Sequence, residues 1–180
     1  MKKTKNLTLI SLMTAMICVI APFAITIPIS PVPVSLANLI IGIAIYVLGM
    51  KKCVASTLLY LLIGFVGMPV FSGFMGGAGK LIGPTGGYLI GYVLFVVIGG
   101  VFVRRYKEKK ILQLIGMLLG MCSCYLLGTI WLMYQSKMDF MTAFMTGVVP
   151  FILADTLKMI MVVVFGNQLR KRLWVAGLVE

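Results

Sequence analysis

The sequence predicts an all-α integral membrane protein: a single domain, residues 1–180, of six transmembrane helices with both termini cytoplasmic. Three observations carry that prediction. The 180 residues are 61% hydrophobic and only 11% charged, with a mean hydropathy of +1.11, whereas soluble domains are about 25% charged. The apolar residues fall into six runs, each near the ~20 residues needed to cross a ~30 Å hydrocarbon layer. The basic residues sit in short clusters between those runs, which is the pattern of the positive-inside rule.

The first run spans Asn6 to Ile25, behind the basic stretch Met1 to Lys5. Its apolar part exceeds the roughly 7–15 residues of a secretory signal, so it reads as a retained span. Pro22, Pro28, Pro31 and Pro33 then mark a non-helical connection, because proline lacks a backbone donor. Val34 to Met50 is the second span, followed by Lys51 and Lys52, and Cys53 to Gly67 is the third. A long glycine-rich connection covers Met68 to Gly87. Tyr88 to Val103 is the fourth span, with a start possible from Pro84. The basic link Arg104 to Lys110 leads to the fifth, Ile111 to Tyr134. After a short polar turn, Met141 to Gln168 is the sixth, closed by Arg170, Lys171 and Arg172.

With six spans, thirteen Lys and Arg residues fall on the side of the termini. Only Lys80 and Lys137 fall on the other, and Lys158 lies in the membrane. That asymmetry places both termini in the cytoplasm. It also disposes of nucleic acid as the reason for the net charge of +12.

Asp155 and Lys158 are the most informative pair. They lie three residues apart in the apolar run Phe151 to Phe165, on one helical face. An ionisable group at membrane depth costs a few kcal/mol, roughly 2.5–3.5 on insertion scales. Two readings compete: a structural ion pair inside the bundle, and an acceptor and donor for a polar ligand in a membrane-embedded cavity. A proton relay fits less well, since it usually strings several carboxylates together and only one lies within the membrane here.

The glycine-rich connection interleaves glycine with Val70, Phe71, Phe74, Met75, Leu81 and Ile82. A flexible linker would be polar and serine-rich, so this one reads as a lid or pocket wall. Gly79-Lys80 is no phosphate loop: Phe74 replaces the required glycine, and Leu81 stands where Ser or Thr would hold magnesium. The chain has four cysteines, no Cys-x-x-Cys pair and no histidine, which argues against zinc, haem and iron–sulfur sites. The same lack of histidine removes Ser–His and His-ligated metal catalysis. A Ser–Lys arrangement around Lys158 is disfavoured because Asp155 would hold the ammonium charged. Gly116, Gly120, Cys124 and Gly128 repeat every fourth residue on the fifth span, as Gly83, Gly87 and Gly91 do at the fourth. Such stripes let helices approach closely, and packing within the bundle is the expected use. Ser11 and Ala15 form a weaker small pair on the first span.

Four segments together resemble the BioY family, the biotin-specific substrate-binding (S) components of energy-coupling factor (ECF) transporters. They are Ile29 to Ser35, Gly67 to Phe71, Gly83 to Gly91 and Phe151 to Lys158. The resemblance covers nearly the whole chain. It implies a high-affinity biotin-binding subunit of the bacterial cell membrane, with biotin as transported substrate and no cofactor. It also implies partnership with a transmembrane coupling protein and cytoplasmic ATPases. The ligand residues it implies are Asp155 and Lys158, with Gly73, Gly76, Gly77, Thr85, Gly86, Gly87 and Tyr88 of the loop before the fourth helix. Ser11 and Ala15 stand where the family carries an Ala-xxx-Ala contact for the coupling subunit, a departure in the first residue. Biotin's chemistry agrees. A carboxylate accepts from a ureido N–H and an ammonium donates to its carbonyl, or alternatively pairs with the valerate carboxylate. An S component for thiamine or riboflavin is the alternative within the class.

Overall fold

A computed structural model describes residues 2–25 and 30–176. Pro28 and Ile29 of the proline-rich connection lie outside the described residues. In chain order the helices are α1 (Lys2–Ile20), α2 (Ala37–Leu48), α3 (Met50–Phe65), α4 (Ala78–Ile82), α5 (Gly86–Arg105), α6 (Lys110–Ser136), α7 (Phe140–Gly147) and α8 (Ile152–Val175). A 3₁₀ turn, Val149–Phe151, joins the last two. Among the described residues, three helical stretches have both the length and the hydropathy to cross a membrane: Gly86–Arg105, Lys110–Ser136 and Phe140–Leu173. Thr4–Ile20 and Ala37–Leu48 are apolar but shorter.

Several boundaries differ from the sequence reading, each for a local reason. The first span was expected to reach Ile25, but α1 stops at Ile20. Pro22 has no N–H to continue the ladder and its ring would strike the carbonyl one turn back. Beyond it, β1 (Ala24–Ile25) pairs antiparallel with β2 (Val34–Ser35). The second helix accordingly starts later than Val34. The Ser35 hydroxyl accepts from the Ala37 N–H at 3.0 Å and opens α2. Gly49, at φ +72°, ends α2 and begins α3 in a single residue. Lys51 and Lys52 therefore lie in the first turn of α3 and not in a loop. The sixth apolar run is interrupted, because Pro150 cannot donate to the preceding turn, and the chain restarts as α8 at Ile152.

The core is one apolar cluster that includes Ile17, Ile41, Ile45, Tyr60, Phe71, Phe95, Met117, Leu132, Met159 and Val162. The most extensive helix pairing is α5 with α6, and the small-residue stripes make it. A Cβ added at Gly91 would lie 2.8 Å from the Cys124 sulfur, one at Gly128 2.3 Å from the Tyr88 ring, and one at Gly116 2.2 Å from Phe102. α2 packs on α8 and on α5, and α1 packs on α3.

The glycine-rich connection is ordered and carries α4. Phe71 and Met75 pair across a short bridge, with N–H···O distances of 2.8 and 3.3 Å. The Phe71 ring is fully buried edge-on against Tyr60, 5.5 Å between centroids. The Gly73 N–H donates to the Pro22 carbonyl at 2.9 Å, and Phe74 meets Phe23. These contacts tie the loop to the α1–β1 turn.

Candidate ligand-binding site

Asp155 lies in the first turn of α8, where the N-terminal end of the helix dipole favours a negative charge. It is there because the run breaks at Pro150. In an uninterrupted helix it would sit mid-span. Asp155 and Lys158 are 6% and 8% exposed, and the Lys158 Nζ stands 2.8 Å from the Asp155 Oδ1.

Three further groups complete the cluster. The Asn38 Nδ2 donates to the Asp155 Oδ1 at 2.8 Å. The Tyr125 hydroxyl donates to the other oxygen, Oδ2, at 2.5 Å, a length typical of a bond to a charged acceptor. Lys158 also donates to the Ser35 carbonyl at 2.7 Å and lies 3.4 Å from the Asn38 Oδ1. The site thus draws on β2, α2, α6 and α8. Leaving any member alone in this core would strand a buried polar or charged group.

A cavity of about 40 Å³ borders the cluster. Its walls include Val32 to Ser35, Asn38, Tyr88, Tyr92, Tyr125, Phe151 and Asp155. Met121, Tyr125 and Asp155 also line a larger crevice of about 310 Å³ between α6, α7 and α8. That crevice is mostly apolar, with Leu118, Leu126, Phe140, Phe144 and Ile152 on its walls. The polar chemistry is at the smaller cavity, and the room is in the larger one.

Of the residues expected from sequence, Asp155, Lys158 and Tyr88 gather here. Tyr88 is buried and donates to the Gly147 carbonyl at 3.1 Å. Gly76 and Thr85 line a separate cavity of about 370 Å³ with Pro31, Met75, Lys80 and Pro84. The Thr85 hydroxyl is buried without a hydrogen-bond partner. Gly86 and Gly87 serve packing: an added Cβ would lie 1.6 Å from the Leu81 carbonyl oxygen and 2.3 Å from Trp131 respectively. Gly73 and Gly77 take positive φ, +77° and +89°, and shape the loop itself. Ser11 and Ala15 are both exposed on one face of α1, beside Leu12, Met16 and Val19.

Sequence reasoning missed Asn38 and Tyr125. Asn38 had a readable signal, since it is a lone amide in an apolar run and the logic applied to Asp155 applies to it. Tyr125 had none, because an aromatic residue in a span is ordinary.

A buried acceptor–donor pair at a helix break borders a cavity inside this apolar helical bundle, and the relatives of the chain are membrane transport proteins. The chain belongs to the BioY family, whose model matches residues 1–174. It is 37% identical over 175 residues to the biotin transporter BioY2 of Lactococcus lactis subsp. cremoris, covering 96% of this chain and 95% of that protein. It is 36% identical over 168 residues to a probable biotin transporter BioY of Pyrococcus horikoshii, covering 93% and 98%. Its fold superposes on the crystal structure of an S-component for biotin from an ECF-type ABC transporter. The TM-score is 0.87 at 35% identity, with 94% and 93% of the two chains covered. These relatives are transport proteins, not enzymes.

Proposed function

We propose that this chain is the biotin-capturing subunit of an ECF-type uptake transporter, a single multi-pass domain of the bacterial cell membrane. The observation that carries the reading is the cluster of buried Asn38, Asp155 and Lys158 with half-buried Tyr125, set in apolar core beside a cavity. Asp155 accepts from biotin's ureido N–H, and Lys158 with the Asn38 amide supplies donors for its carbonyl. The existing bonds already occupy much of this hydrogen-bonding capacity, so the ligand exchanges with some of them and does not fill vacant positions. The fused rings need apolar walls, and the crevice along α6 and α8 offers them. Calorimetry of the detergent-purified chain against biotin, thiamine and riboflavin tests the assignment. Binding of biotin alone supports it, and binding of another vitamin in its place overturns it.

The six crossings are α1, α2, α3, α5, α6 and the α7–α8 pair, with both termini cytoplasmic. Lys51, Lys52, Arg104 and Arg170 then share the cytoplasmic end, in keeping with the positive-inside rule. Single cysteines at Lys51 and Lys107 should resist an impermeant thiol reagent added outside intact cells, while one at Lys137 reacts. Labelling at Lys51 would refute the topology.

Uphill uptake needs a transmembrane coupling protein and cytoplasmic ATPases. The exposed face of α1 around Ser11 and Ala15 is the surface offered to the coupling protein, because small residues admit a close helix approach. Replacing both with Leu should abolish energised uptake and leave biotin binding by the purified subunit intact. Normal uptake would remove this face from the interface.

A further inference from the structure

At the end of the bundle opposite the Asp155 cluster is a cavity of about 260 Å³ that biotin capture does not use. Its walls include Lys51 and Lys52 from the start of α3, Arg104 from the end of α5, and Arg170 from α8. Tyr46, Gly49 and Gly100 also line it, and a Cβ at Gly49 would meet nothing within 4 Å. No carboxylate lines it. Among the described residues no carboxylate pairs with Arg104, Arg170 or Lys51. Lys52 donates to the Asn6 side-chain oxygen at 2.7 Å.

Cations at the ends of spans usually splay toward water. Here four from three helices border one cavity, Lys52 and Arg170 half-buried and Lys51 and Arg104 exposed. The backbone adds to it. α3 has no side-chain cap, and the Cys53 N–H is the first to find an acceptor, the Gly49 carbonyl at 3.0 Å. The amides of Met50, Lys51 and Lys52, three residues that line this cavity, therefore have no helical acceptor, at the positive end of a 16-residue helix.

We propose that this cavity binds the phosphate of an anionic lipid headgroup. Basic pockets between transmembrane helices suit that chemistry. The α5 surface favours a lipid over a free phosphate. Leu94, Val97 and Val101 are 39%, 38% and 45% exposed and follow helical spacing to Arg104. One stripe of α5 thus runs from apolar side chains to a guanidinium, as an acyl chain runs to its phosphate.

Native mass spectrometry of the detergent-purified full chain tests this with phosphatidylglycerol, phosphatidylcholine and inorganic phosphate. One phosphatidylglycerol should be retained in preference to phosphatidylcholine. The Arg104→Gln/Arg170→Gln pair should weaken that binding roughly thirtyfold. Lys107→Gln/Lys109→Gln, which removes equal charge from the neighbouring turn, should change it by no more than about twofold. No lipid preference, or equal losses in both pairs, would overturn the site. Complete displacement by millimolar inorganic phosphate would assign the cavity to a soluble phosphate and overturn the lipid reading. If the glutamine pair does not fold, footprinting the parent chain with phenylglyoxal decides. Phosphatidylglycerol should protect Arg104 and Arg170 and leave Arg105 and Arg172 reactive, and uniform reaction would overturn the proposal.

Discussion

Two buried polar networks join the same three helices, and they differ in what they leave undone. The charged one links Asn38 of α2, Tyr125 of α6, and Asp155 and Lys158 of α8. The neutral one lies farther toward the basic end and links Tyr46 of α2, Gln113 of α6 and Asn167 of α8. The Gln113 Oε1 accepts from the Tyr46 hydroxyl at 3.0 Å and from the Asn167 Nδ2 at 2.7 Å. Its Nε2 donates to the carbonyls of Tyr106 and Lys107 at 2.8 and 2.9 Å. Every hydrogen-bonding position of that amide is used, and Gln113 is fully buried. The neutral network stitches helices and pins the α5–α6 turn. The charged network borders open space on two sides of Asp155 and carries full charges. Burial of polar groups beside a cavity does not by itself mark a site, since Tyr46 of the neutral network lines the basic cavity; the proposed site differs in the full charges it sets beside its cavity.

The largest effect that can break this distinction is expected at the charged network. Asp155→Asn and Lys158→Met should each weaken biotin binding by about 2–5 kcal/mol, roughly 30-fold to several thousand-fold. Asp155→Asn is the sharper variant, because it keeps shape and one acceptor oxygen but loses the charge. Calorimetry with thermal stability recorded alongside separates the readings. Single variants that stay folded and lose biotin mark a site. A double neutral variant that binds like the parent would make the pair scaffold, no different from Gln113.

The converse change is smaller and falls on the other quantity. Gln113→Leu strands the buried Tyr46 hydroxyl and removes the donor that pins the Tyr106 and Lys107 carbonyls, at a cost of about 1–3 kcal/mol in stability. It should lower the melting temperature while biotin affinity stays within about twofold, since distant sites act independently. A large loss of affinity with unchanged melting would show that the two networks are coupled.

The smallest effect is expected outside both networks. Asp139 caps α7, accepting from the Thr142 N–H at 3.0 Å and from its hydroxyl at 2.6 Å. These bonds hold its carboxyl below the usual aspartate range. A depressed carboxyl stabilises the fold above the unfolded aspartate pKa of about 3.9, and that contribution is lost as pH falls through the lower folded value. Asp139→Ala should flatten the acid limb of a stability–pH curve slightly and leave affinity unchanged. A change in affinity would tie α7 to the ligand crevice.

The helical membrane character of the chain, the runs that became α5 and α6, and the pairing of Asp155 with Lys158 on one helical face were all legible in the amino-acid order. Length, hydropathy and the cost of a buried charge are properties of residues and their neighbours in sequence. The packing of Gly116, Gly120, Cys124 and Gly128 on α5 was legible too, because small residues at every fourth position lie on one helical face. Other features were decided only by tertiary structure. The sixth run reads as unbroken from Met141 to Gln168 in sequence, whereas in the fold Pro150 interrupts it and sets Asp155 at a helix start. Asn38 and Tyr125 meet Asp155 across separations of 117 and 30 residues, and no local pattern encodes a contact between three helices. The glycine loop looked like a ligand wall throughout its length. In the fold, Phe71 is buried against Tyr60, and Gly86 and Gly87 are spent on packing, because a close backbone approach and a ligand approach select the same residue.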